Sequence, residues 1–518
     1  MENPSLNPQK GFFYYVEKFG NALPNPALLF GILAIIVLLL SALGALLGWH
    51  GAHPATGDPI HVVNILSREG IHRILLETVT NYTSFAPLGI VMVALLGIGV
   101  TESSGLLKTA INGMLVKAPA KAVTFIVIFA GLLSNVASDL GYVLIIPLAG
   151  VIFHSLGRHP LAGMAAAFAA VSGGFSANIL ISTQDPLLAG LSTEAARIID
   201  PTYVVLPTAN YFFMAASTFV VAGICWLVTV KYLEPKLGKY EGDVPREEMT
   251  EPTALEKKGM RWAGFTFLAW FALIAAGLIP ENGFLRGDII VDGEVVGRSA
   301  LNSPVLRGFI ALLFLMAASA GAVYGFITGS FKKAADVIGS MNDNIKTLAS
   351  YLVLVFFMAQ FVSWFNWSNL GLLLAINAAN FLQGVDIHLI PLAIIFILLT
   401  ATVNLVMGSA SAKWAIMGPV FIPIFMLLGY SPELTQAIYR VGDSITNIIT
   451  PVLPYFALII VFYQKYDKRA GIGTIIAHMI PFTIALFFGW VALLIGWILL
   501  EIPLGPGAPM FFEMIPTY

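Results

Sequence analysis

Five charged side chains lie inside otherwise apolar stretches of the sequence: Asp139, Asp185, Lys413, Arg440 and Asp443. An ionised side chain at the centre of a membrane-spanning helix costs about 2.5–3.5 kcal/mol even on the most lenient scale. Charges in such positions therefore need a partner, which can be another side chain, a transported ion or a charged substrate. Together they predict a buried polar site.

Arg440, Asp443 and Asn447 follow one another at spacings of three and four residues, which places them on one face of a helix. A carboxylate with amide and backbone carbonyl oxygens suits a hard monovalent cation such as Na⁺. Asn404 and a carbonyl near Gly408 could complete such a site from a facing segment. The alternative is a structural Arg–Asp pair that pins two helices, since the same spacing lets Arg440 and Asp443 contact each other.

Other polar residues in these stretches each allow two interpretations. Arg440 could face a cavity and bind a substrate carboxylate through its planar guanidinium. Asp185 precedes Pro186, so it is either a polar contact or proton carrier, or the cap of a broken helix. Trp414 could stack against an aromatic substrate or anchor the protein at the membrane interface. Ser411 could bind ligand or permit close helix packing.

The composition shows which elements must position these residues. Of the 518 residues, 58% are hydrophobic and 11% are charged, whereas a soluble domain carries about 25% charged residues. The apolar residues come in blocks close to the roughly 20 residues that a spanning helix requires. A β-barrel would show short segments of alternating polarity instead. The sequence therefore predicts an all-α polytopic membrane protein with a single transmembrane domain over residues 1–518.

Two regions, 122–200 and 387–462, carry Gly, Pro, Ser and Asn inside apolar sequence. Broken helices and re-entrant hairpins are tolerated at membrane depth only where they are buried in protein or line an aqueous cavity. We therefore expect each region to contain a hairpin and broken helices that build the site.

The distribution of Lys and Arg predicts the orientation in the membrane. The loop at 231–261 contains seven Lys and Arg residues, and loops rich in these residues face the cytoplasm. We expect the N-terminal segment 1–26 on the same side. The tail after Glu501 has no Lys or Arg, and we expect it outside, which requires an odd number of crossings.

The two interrupted regions share an internal echo. Residues 173–178 (Gly-Gly-Phe-Ser-Ala-Asn) and 442–447 (Gly-Asp-Ser-Ile-Thr-Asn) each begin with Gly, end with Asn and precede a proline. A segment of Asn and small residues comes before each of them, at 134–139 and at 404–411. Interrupted apolar segments at corresponding positions of two halves indicate a transporter site near the midplane. The alternative is chance similarity between helices rich in small residues.

Other classes of function are disfavoured. A net charge of −2 and the lack of a long basic tract argue against a nucleic-acid partner. Metalloprotease, nucleophile-elbow and Walker motifs are not convincing, so we expect no enzymatic activity, and no cofactor other than a bound Na⁺. The expected partners are a small-molecule substrate and the lipid bilayer.

The chain resembles the AbgT (p-aminobenzoyl-glutamate transporter) family of bacterial inner membranes over essentially its whole length. The motifs that carry the resemblance stand in order at residues 20–26, 84–89, 157–163, 173–185, 365–369, 408–414, 440–447 and 505–509. Two of them, Gly-Ser-Ala-Ser-Ala-Lys-Trp at 408–414 and Tyr-Arg-Val-Gly-Asp-Ser-Ile-Thr-Asn at 439–447, look closest to the subgroup associated with sulfonamide and antimetabolite efflux.

The resemblance implies a homodimer whose protomers have about nine transmembrane helices, two re-entrant hairpins and inverted repeats with broken helices. Each protomer would hold its own pathway, inside an outer dimerising frame. The N-terminus would be cytoplasmic and the C-terminus periplasmic. The implied pathway residues are Asp185, Ser411, Trp414, Pro432, Arg440, Asp443 and Pro451. The implied Na⁺ ligands are Asn404, Gly408, Asp443 and Asn447.

The substrate that the resemblance implies is p-aminobenzoyl-glutamate or a sulfonamide, which unites an aromatic amine with an anionic group. This agrees with an inventory of one arginine, one tryptophan and a few hydroxyl or amide groups. We therefore predict a secondary active transporter, driven by a Na⁺ or H⁺ gradient, for efflux of antimetabolites or uptake of a folate catabolite. The alternative is a sodium-coupled dicarboxylate symporter, and the rivals from other classes are a channel and a membrane enzyme.

Overall fold

A computed structural model describes residues 26–52, 59–116, 119, 122–137, 141–245, 251–291, 294–299 and 303–513. The N-terminal segment up to residue 25, most of the motif at 20–26, and Asp139 lie outside the described residues. Nearly all of the described secondary structure is helical, and the strands form two short antiparallel hairpins.

The first half of the described chain is a series of helices with one small hairpin. Its helices are α1 (Pro26–Leu46), α2 (Arg68–Thr83), α3 (Ala86–Ser104), α4 (Leu106–Val116), α5 (Val123–Ser134), α6 (Ile146–Ser155), α7 (Pro160–Phe168), α8 (Gln184–Ala196), α9 (Tyr211–Val228) and α10 (Glu234–Leu237). Strands β1 (His50–Ala52) and β2 (Pro59–His61) pair between α1 and α2. Wider π-helical turns cover Gly141–Ile145, Ala169–Gly173 and Thr229–Leu233.

The second half of the described chain is likewise a series of helices with one small hairpin. Its helices are α11 (Ala254–Leu278), α12 (Pro304–Arg307), α13 (Phe309–Thr328), α14 (Ala334–Thr347), α15 (Ala349–Trp367), α16 (Leu370–Gly384), α17 (Leu389–Val406), α18 (Ala410–Leu427), α19 (Pro432–Ile445), α20 (Phe456–Gln464) and α21 (Ile472–Leu499). Strands β3 (Gly287–Val291) and β4 (Glu294–Ser299) pair after α11, with an irregularity between Ile289 and Ile290.

Nine helical segments among the described residues are long and apolar enough to cross a bilayer. They are α1, the pair α2–α3, the segment from α9 to α10, α11, α13, α15, α17, α18 and α21. Four further apolar helices are shorter: α5, the segment 141–155, the segment 160–173 and α16. The prediction of an all-α polytopic membrane fold is confirmed, and the shorter helices have the length expected of hairpin arms.

Local sequence signals explain where several helices begin. Thr253 accepts a hydrogen bond from the Glu256 N–H, and the Glu256 carboxylate accepts one from the Thr253 N–H, a capping box that starts α11. Ser431 caps α19 by accepting from the Leu434 N–H, and Pro432 supplies the fixed φ that suits the first helical position.

The helices differ sharply in how much of their surface the protein covers. All fourteen residues of α19 are buried, and α18 is buried along most of its length. In α11 the buried residues are Gly259, Ala263 and Gly277, so most of that helix faces outward. Helix α8 packs against α18 and α19, and α17 packs against α19. The fold therefore has an inner group of helices, α8, α18 and α19, surrounded by apolar outer helices.

The two echo motifs contact each other at breaks in this inner group. Helical structure stops after Gly173 and resumes at Gln184, and α19 ends at Ile445 before a turn-rich stretch to residue 455. The Ser176 N–H donates to the Ser444 hydroxyl over 3.3 Å. The Asn447 amide donates to the Ser172 carbonyl over 3.3 Å. The interrupted parts of the two regions thus meet in the interior.

Candidate functional site

An ion pair between Arg440 and Asp185 joins the two interrupted regions. The guanidinium Nη2 lies 2.5 Å from Asp185 Oδ1, and both side chains are buried. The other carboxylate oxygen accepts from the backbone N–H and the hydroxyl of Ser182, at 2.6 and 2.8 Å. By accepting these two hydrogen bonds Asp185 stabilises the break before α8, and it also neutralises Arg440.

The Arg440 guanidinium keeps donor capacity beyond this pair. Its Nε–H has no hydrogen-bond partner among the described residues, although the side chain is 3% exposed. A buried N–H without a partner carries a desolvation cost of about 1–3 kcal/mol. Buried polar groups of this kind are uncommon, and a ligand is one of the explanations for them. The Arg440 Nε–H is therefore a donor left for an anionic or carbonyl oxygen of a bound molecule.

A second buried ion pair lies further along α19. Lys413 Nζ is 2.6 Å from Asp443 Oδ1, and neither side chain is more than 2% exposed. The same ammonium contacts the Asn404 side-chain oxygen. Tyr439 adds a hydroxyl 3.4 Å from Asp443 Oδ1 and donates to the Ala410 carbonyl. The site therefore holds a lysine ammonium against the oxygens that the sequence assigned to Na⁺.

Asn404 is the central residue of this second cluster. Its amide nitrogen lies 2.7 Å from the Asp443 carbonyl, 3.0 Å from the Thr446 hydroxyl and 2.8 Å from the Asn447 side-chain oxygen. The structure thus brings Asn404 together with Asp443 and Asn447, from a facing segment. Gly408 stands nearby in the non-helical segment between α17 and α18, against the backbone of Val452.

Arg440 and Asp443 do not pair with each other. The three-residue spacing allowed a contact between them, which was the structural alternative, but each has a nearer partner on another element. Arg440 pairs with the start of α8, and Asp443 pairs with the first turn of α18. The two residues therefore belong to separate ion pairs, although they lie on the same helix.

Trp414 follows Lys413 in the chain and lies in the interior. It is fully buried, and its ring stacks on Tyr439 with centroids 4.3 Å apart and a 32° angle between planes. The indole N–H donates to the Ser192 hydroxyl over 2.9 Å, and Ser192 donates to the Gln436 side-chain oxygen over 2.6 Å. An interfacial anchor would lie at the lipid surface, so this burial does not fit that alternative. A substrate ring can reach Trp414 only after a neighbouring group moves.

The remaining predicted pathway residues lie apart from the ion pairs. Ser411 is half-buried in the first turn of α18 and lies 3.5 Å from the exposed Ser409 hydroxyl. Pro432 is the first residue of α19, roughly 16 Å along the helix axis from Asp443. Pro451 is half-buried in the turn-rich stretch after α19. None of these three positions contributes charge to the ion pairs.

The structure adds residues that the sequence analysis did not assign to the site. Gln436 donates to the Asn210 side chain over 2.9 Å, and Asn210 donates to the Glu433 carbonyl over 2.8 Å. The face defined by Arg440, Asp443 and Asn447 continues upstream at the same spacing through Gln436 and Glu433, a signal that could have identified both. Ser192 has no such signal, because only the packing of α8 against α18 places it beside Trp414.

Comparisons with known proteins agree with this arrangement. A model of the AbgT putative transporter family matches residues 11–512. The chain is 35% identical over 504 residues to the p-aminobenzoyl-glutamate transport protein of Escherichia coli (strain K12), covering 97% of this chain and 98% of that protein. All of the relatives described here are named as transporters or efflux pumps, which fits the prediction that the protein is not an enzyme.

Two solved structures are similar along almost the whole chain. One is the Alcanivorax borkumensis YdaH transporter, described as having an unusual topology, with 45% identity, a TM-score of 0.87, and coverage of 93% of this chain and 100% of that one. The other is Neisseria gonorrhoeae MtrF, described with a class of antimetabolite efflux pumps, with 49% identity, a TM-score of 0.89, and coverage of 96% and 100%. The chain therefore belongs to the AbgT family and is a multi-pass transporter of a bacterial membrane.

Proposed function

We propose that the protein is a secondary active transporter for p-aminobenzoyl-glutamate-like aromatic anions and sulfonamide drugs, driven by a Na⁺ or H⁺ gradient. The names of the relatives support this substrate class, since one is a p-aminobenzoyl-glutamate transport protein and another represents antimetabolite efflux pumps. They do not favour the alternative, a sodium-coupled dicarboxylate symporter. The observation that carries the proposal is the buried Arg440 guanidinium, whose Nε–H has no partner in the part of the chain that the structure describes.

Arg440 is the contact that we propose for the substrate anion. A guanidinium has five N–H donors, and Asp185 uses only part of this capacity. Charge-assisted hydrogen bonds from arginine to a carboxylate are roughly twice as strong as neutral ones. Asp185 neutralises Arg440 in the conformation described, and a substrate carboxylate would compete with it or share the guanidinium. Binding of the anion would therefore loosen the link between α19 and α8.

Trp414 is the contact that we propose for the aromatic ring. It stands beside the cluster on α18, and its stacking partner Tyr439 precedes Arg440 on α19. Offset stacking of aromatic rings is worth about 0.5–1.5 kcal/mol beyond the burial of area. A p-aminobenzoyl or sulfanilyl ring that displaces Tyr439 would regain this stacking. Ser411, Pro432, Asp185 and Pro451 would line the approach.

The coupling cation would bind at Asp443. The carboxylate and amide oxygens of Asp443, Asn404 and Asn447 are the donors that a hard monovalent cation prefers, and a carbonyl at Gly408 could add to them. In the conformation described, Lys413 contacts two of these oxygens. A Na⁺ ion would therefore be held there by Asn404, Gly408, Asp443 and Asn447 once the ammonium has moved away.

We also propose the orientation and the assembly. The Lys and Arg residues of the 231–261 loop support a cytoplasmic loop and N-terminus, with a periplasmic C-terminus. A homodimer in the inner membrane, with one pathway in each protomer, is supported by the separation between a buried inner group and outer helices such as α11, which leave a large apolar surface.

Flux into proteoliposomes tests the proposed function. We expect radiolabelled p-aminobenzoyl-glutamate to move against its own gradient when a Na⁺ or an H⁺ gradient is imposed separately, and to stop when both are collapsed. Excess sulfamethazine should compete with it. Flux that only follows the substrate gradient would indicate a channel. Equal transport of succinate, with none of p-aminobenzoyl-glutamate, would favour the dicarboxylate symporter, and chemical change of the recovered substrate would indicate an enzyme.

A further inference from the structure

Lys413 is the only ammonium group that contacts the Asp443 cluster among the described residues. It belongs to the first turn of α18, just after the non-helical segment that contains Gly408, and its side chain is fully buried. Neither the predicted pathway nor the predicted cation site includes it. A lysine in this position needs a function that explains why its charge is held inside the protein.

The geometry points to competition: we propose that the Lys413 ammonium competes with Na⁺ for the oxygens of Asp443 and Asn404, and so sets how strongly this site binds a free cation. The inference rests on the proposed function, because it concerns the cation site of that transport cycle. It assigns Lys413 as a positioning and specificity-determining residue.

The Lys413 ammonium contacts oxygens of the predicted cation site. The ammonium touches Oδ1 of Asp443 at 2.6 Å and also touches the Asn404 side-chain oxygen. The third candidate oxygen, on Asn447, already accepts from the Asn404 amide over 2.8 Å. Three of the oxygens predicted to bind Na⁺ are therefore engaged by donors of the protein itself. Of these donors, the Lys413 ammonium is the one that an ion must displace, because it occupies the position of a cation between Asp443 and Asn404.

Neighbouring acceptors fix the orientation of the Asn404 amide. Its nitrogen faces three acceptors, the Asp443 carbonyl, the Thr446 hydroxyl and the Asn447 side-chain oxygen. Rotating the amide by half a turn would direct its N–H groups at the ammonium and leave these acceptors facing an oxygen. The surrounding network therefore keeps the Asn404 oxygen directed at a cation, and Lys413 is that cation in the conformation described.

The net charge of the buried cluster disfavours two cations at once. One carboxylate and one ammonium give a neutral buried cluster, and a net buried charge is strongly unfavourable. Adding Na⁺ beside Lys413 would leave an uncompensated positive charge in the interior. Replacing the ammonium by Na⁺ would keep the cluster neutral. The Asp443 carboxylate can thus be neutralised by one cation at a time, so the Lys413 ammonium and Na⁺ exclude each other.

Binding of Na⁺ to purified protein, without substrate, tests the proposal. The chain has one cysteine, Cys225, which is fully buried, so a thiol-reactive dye reports thermal unfolding. Sodium chloride is titrated against choline chloride at constant ionic strength. We expect Lys413→Met and Lys413→Gln to bind Na⁺ roughly tenfold more tightly than the wild type, a factor equivalent to about 1.4 kcal/mol. Adding Asp443→Asn to either variant should abolish the response.

Lys346→Met is the matched control, since Lys346 pairs with Asp343 at the surface. It should leave the Na⁺ response unchanged. Equal Na⁺ affinity in the wild type and a Lys413 variant, or no Na⁺ response in a folded variant, would overturn the proposal. If neither variant folds, the reactivity of the Lys413 amine in the wild type decides, measured by peptide mass spectrometry after treatment with an amine reagent: a rise in sodium chloride over choline chloride supports displacement of the ammonium, and no Na⁺-dependent change counts against the proposal. A failure here leaves the substrate flux measurements intact, so the two proposals fail separately.

Discussion

Arg440 and Asp185, which are 255 residues apart in the sequence, form a buried ion pair with 2.5 Å between Nη2 and Oδ1. The pair links the middle of α19 to the first turn of α8. Because the same carboxylate accepts two hydrogen bonds from Ser182, the link extends to the break before α8. Any movement of α19 relative to that break must either separate this pair or carry both sides together.

We predict that exchanging the charges of this pair separates its structural role from its transport role. Asp185→Asn or Arg440→Met alone should lower the free energy of unfolding by about 3–5 kcal/mol, because each leaves a buried charge without its partner. The double variant Asp185→Arg with Arg440→Asp should recover part of the stability without recovering transport. Dye labelling of Cys225 during heating measures the first effect, and proteoliposome flux measures the second.

The surface pair of Arg298 and Asp288 provides the control, because both of its side chains are nearly half exposed. Exchanging those two charges should change stability by less than about 1 kcal/mol and leave flux intact. Ordinary transport by the double variant at residues 185 and 440 would show that the pair is purely structural.

We predict that Trp414 contributes to both affinity and stability. Trp414→Ala should cost about 3–5 kcal/mol of stability, because it removes a fully buried ring, and should raise the half-saturation concentration of aromatic substrates. Trp414→Phe should keep most transport. Ser192→Ala should cost about 1–3 kcal/mol, since it leaves the indole N–H unsatisfied. In a Trp414→Phe background that cost should shrink, and an undiminished cost would show that Ser192 acts elsewhere.

Some of this site followed from the sequence, and some could not. The spacing of Arg440, Asp443 and Asn447 placed them on one helical face. Polar and small residues within apolar sequence indicated where the helices are interrupted. Helical spacing is a local property, so it identified residues that share a helix. It could not choose among carboxylates on different helices, and for that reason it offered Asp443 as an alternative partner of Arg440 and did not identify Asp185.

Lys413 shows the same limit more clearly. The sequence marked it as a charge in an apolar block but gave it no partner, because its partners belong to α17 and α19. The network from Trp414 through Ser192 to Gln436 likewise depends on how α8 packs against α18 and α19. These contacts depend on how distant helices pack together, and the spacing of residues along one helix does not predict that packing.

We predict that Gly442 is required for close packing of α19 on α17. A Cβ at this position would lie 2.7 Å from the Ile397 carbonyl oxygen and 2.8 Å from the Thr400 Cβ. Gly442→Ala should therefore lower stability by about 1–3 kcal/mol, the usual range for overpacking. Gly223→Ala in α9 is the control, because a Cβ there meets nothing within 4 Å. Unaltered stability in the Gly442 variant, measured by thermal unfolding, would contradict this packing.

We predict that the loop between α10 and α11 is cytoplasmic. Asp243→Cys, made in a Cys225→Ala background, should resist an impermeant maleimide applied to intact spheroplasts. Asp243 is exposed, whereas a side chain at Gly242 would collide with the Tyr240 hydroxyl, so residue 243 is the better probe. Asn282→Cys, just beyond the opposite end of α11, should react rapidly. Rapid labelling at residue 243 with protection at residue 282 would invert the proposed orientation.

We propose that Arg440 binds the substrate anion and that Asp443, further along α19, binds the coupling cation. Arg440→Lys keeps the charge but loses the planar fork. The double variant Lys413→Gln with Asp443→Asn removes the cation site and leaves no buried charge without a partner. Both variants are expected to fold, because neither leaves a buried charge without a partner.

The most direct measurement is proteoliposome flux of p-aminobenzoyl-glutamate in these two variants, with substrate concentration and the Na⁺ and H⁺ gradients varied independently. Our account predicts that Arg440→Lys raises the half-saturation concentration about tenfold, from the loss of roughly 1.4 kcal/mol of anion binding, and leaves the dependence on the driving ion unchanged. The double variant should lose that dependence and retain exchange of substrate across the membrane. Identical changes in both parameters for both variants would contradict the account.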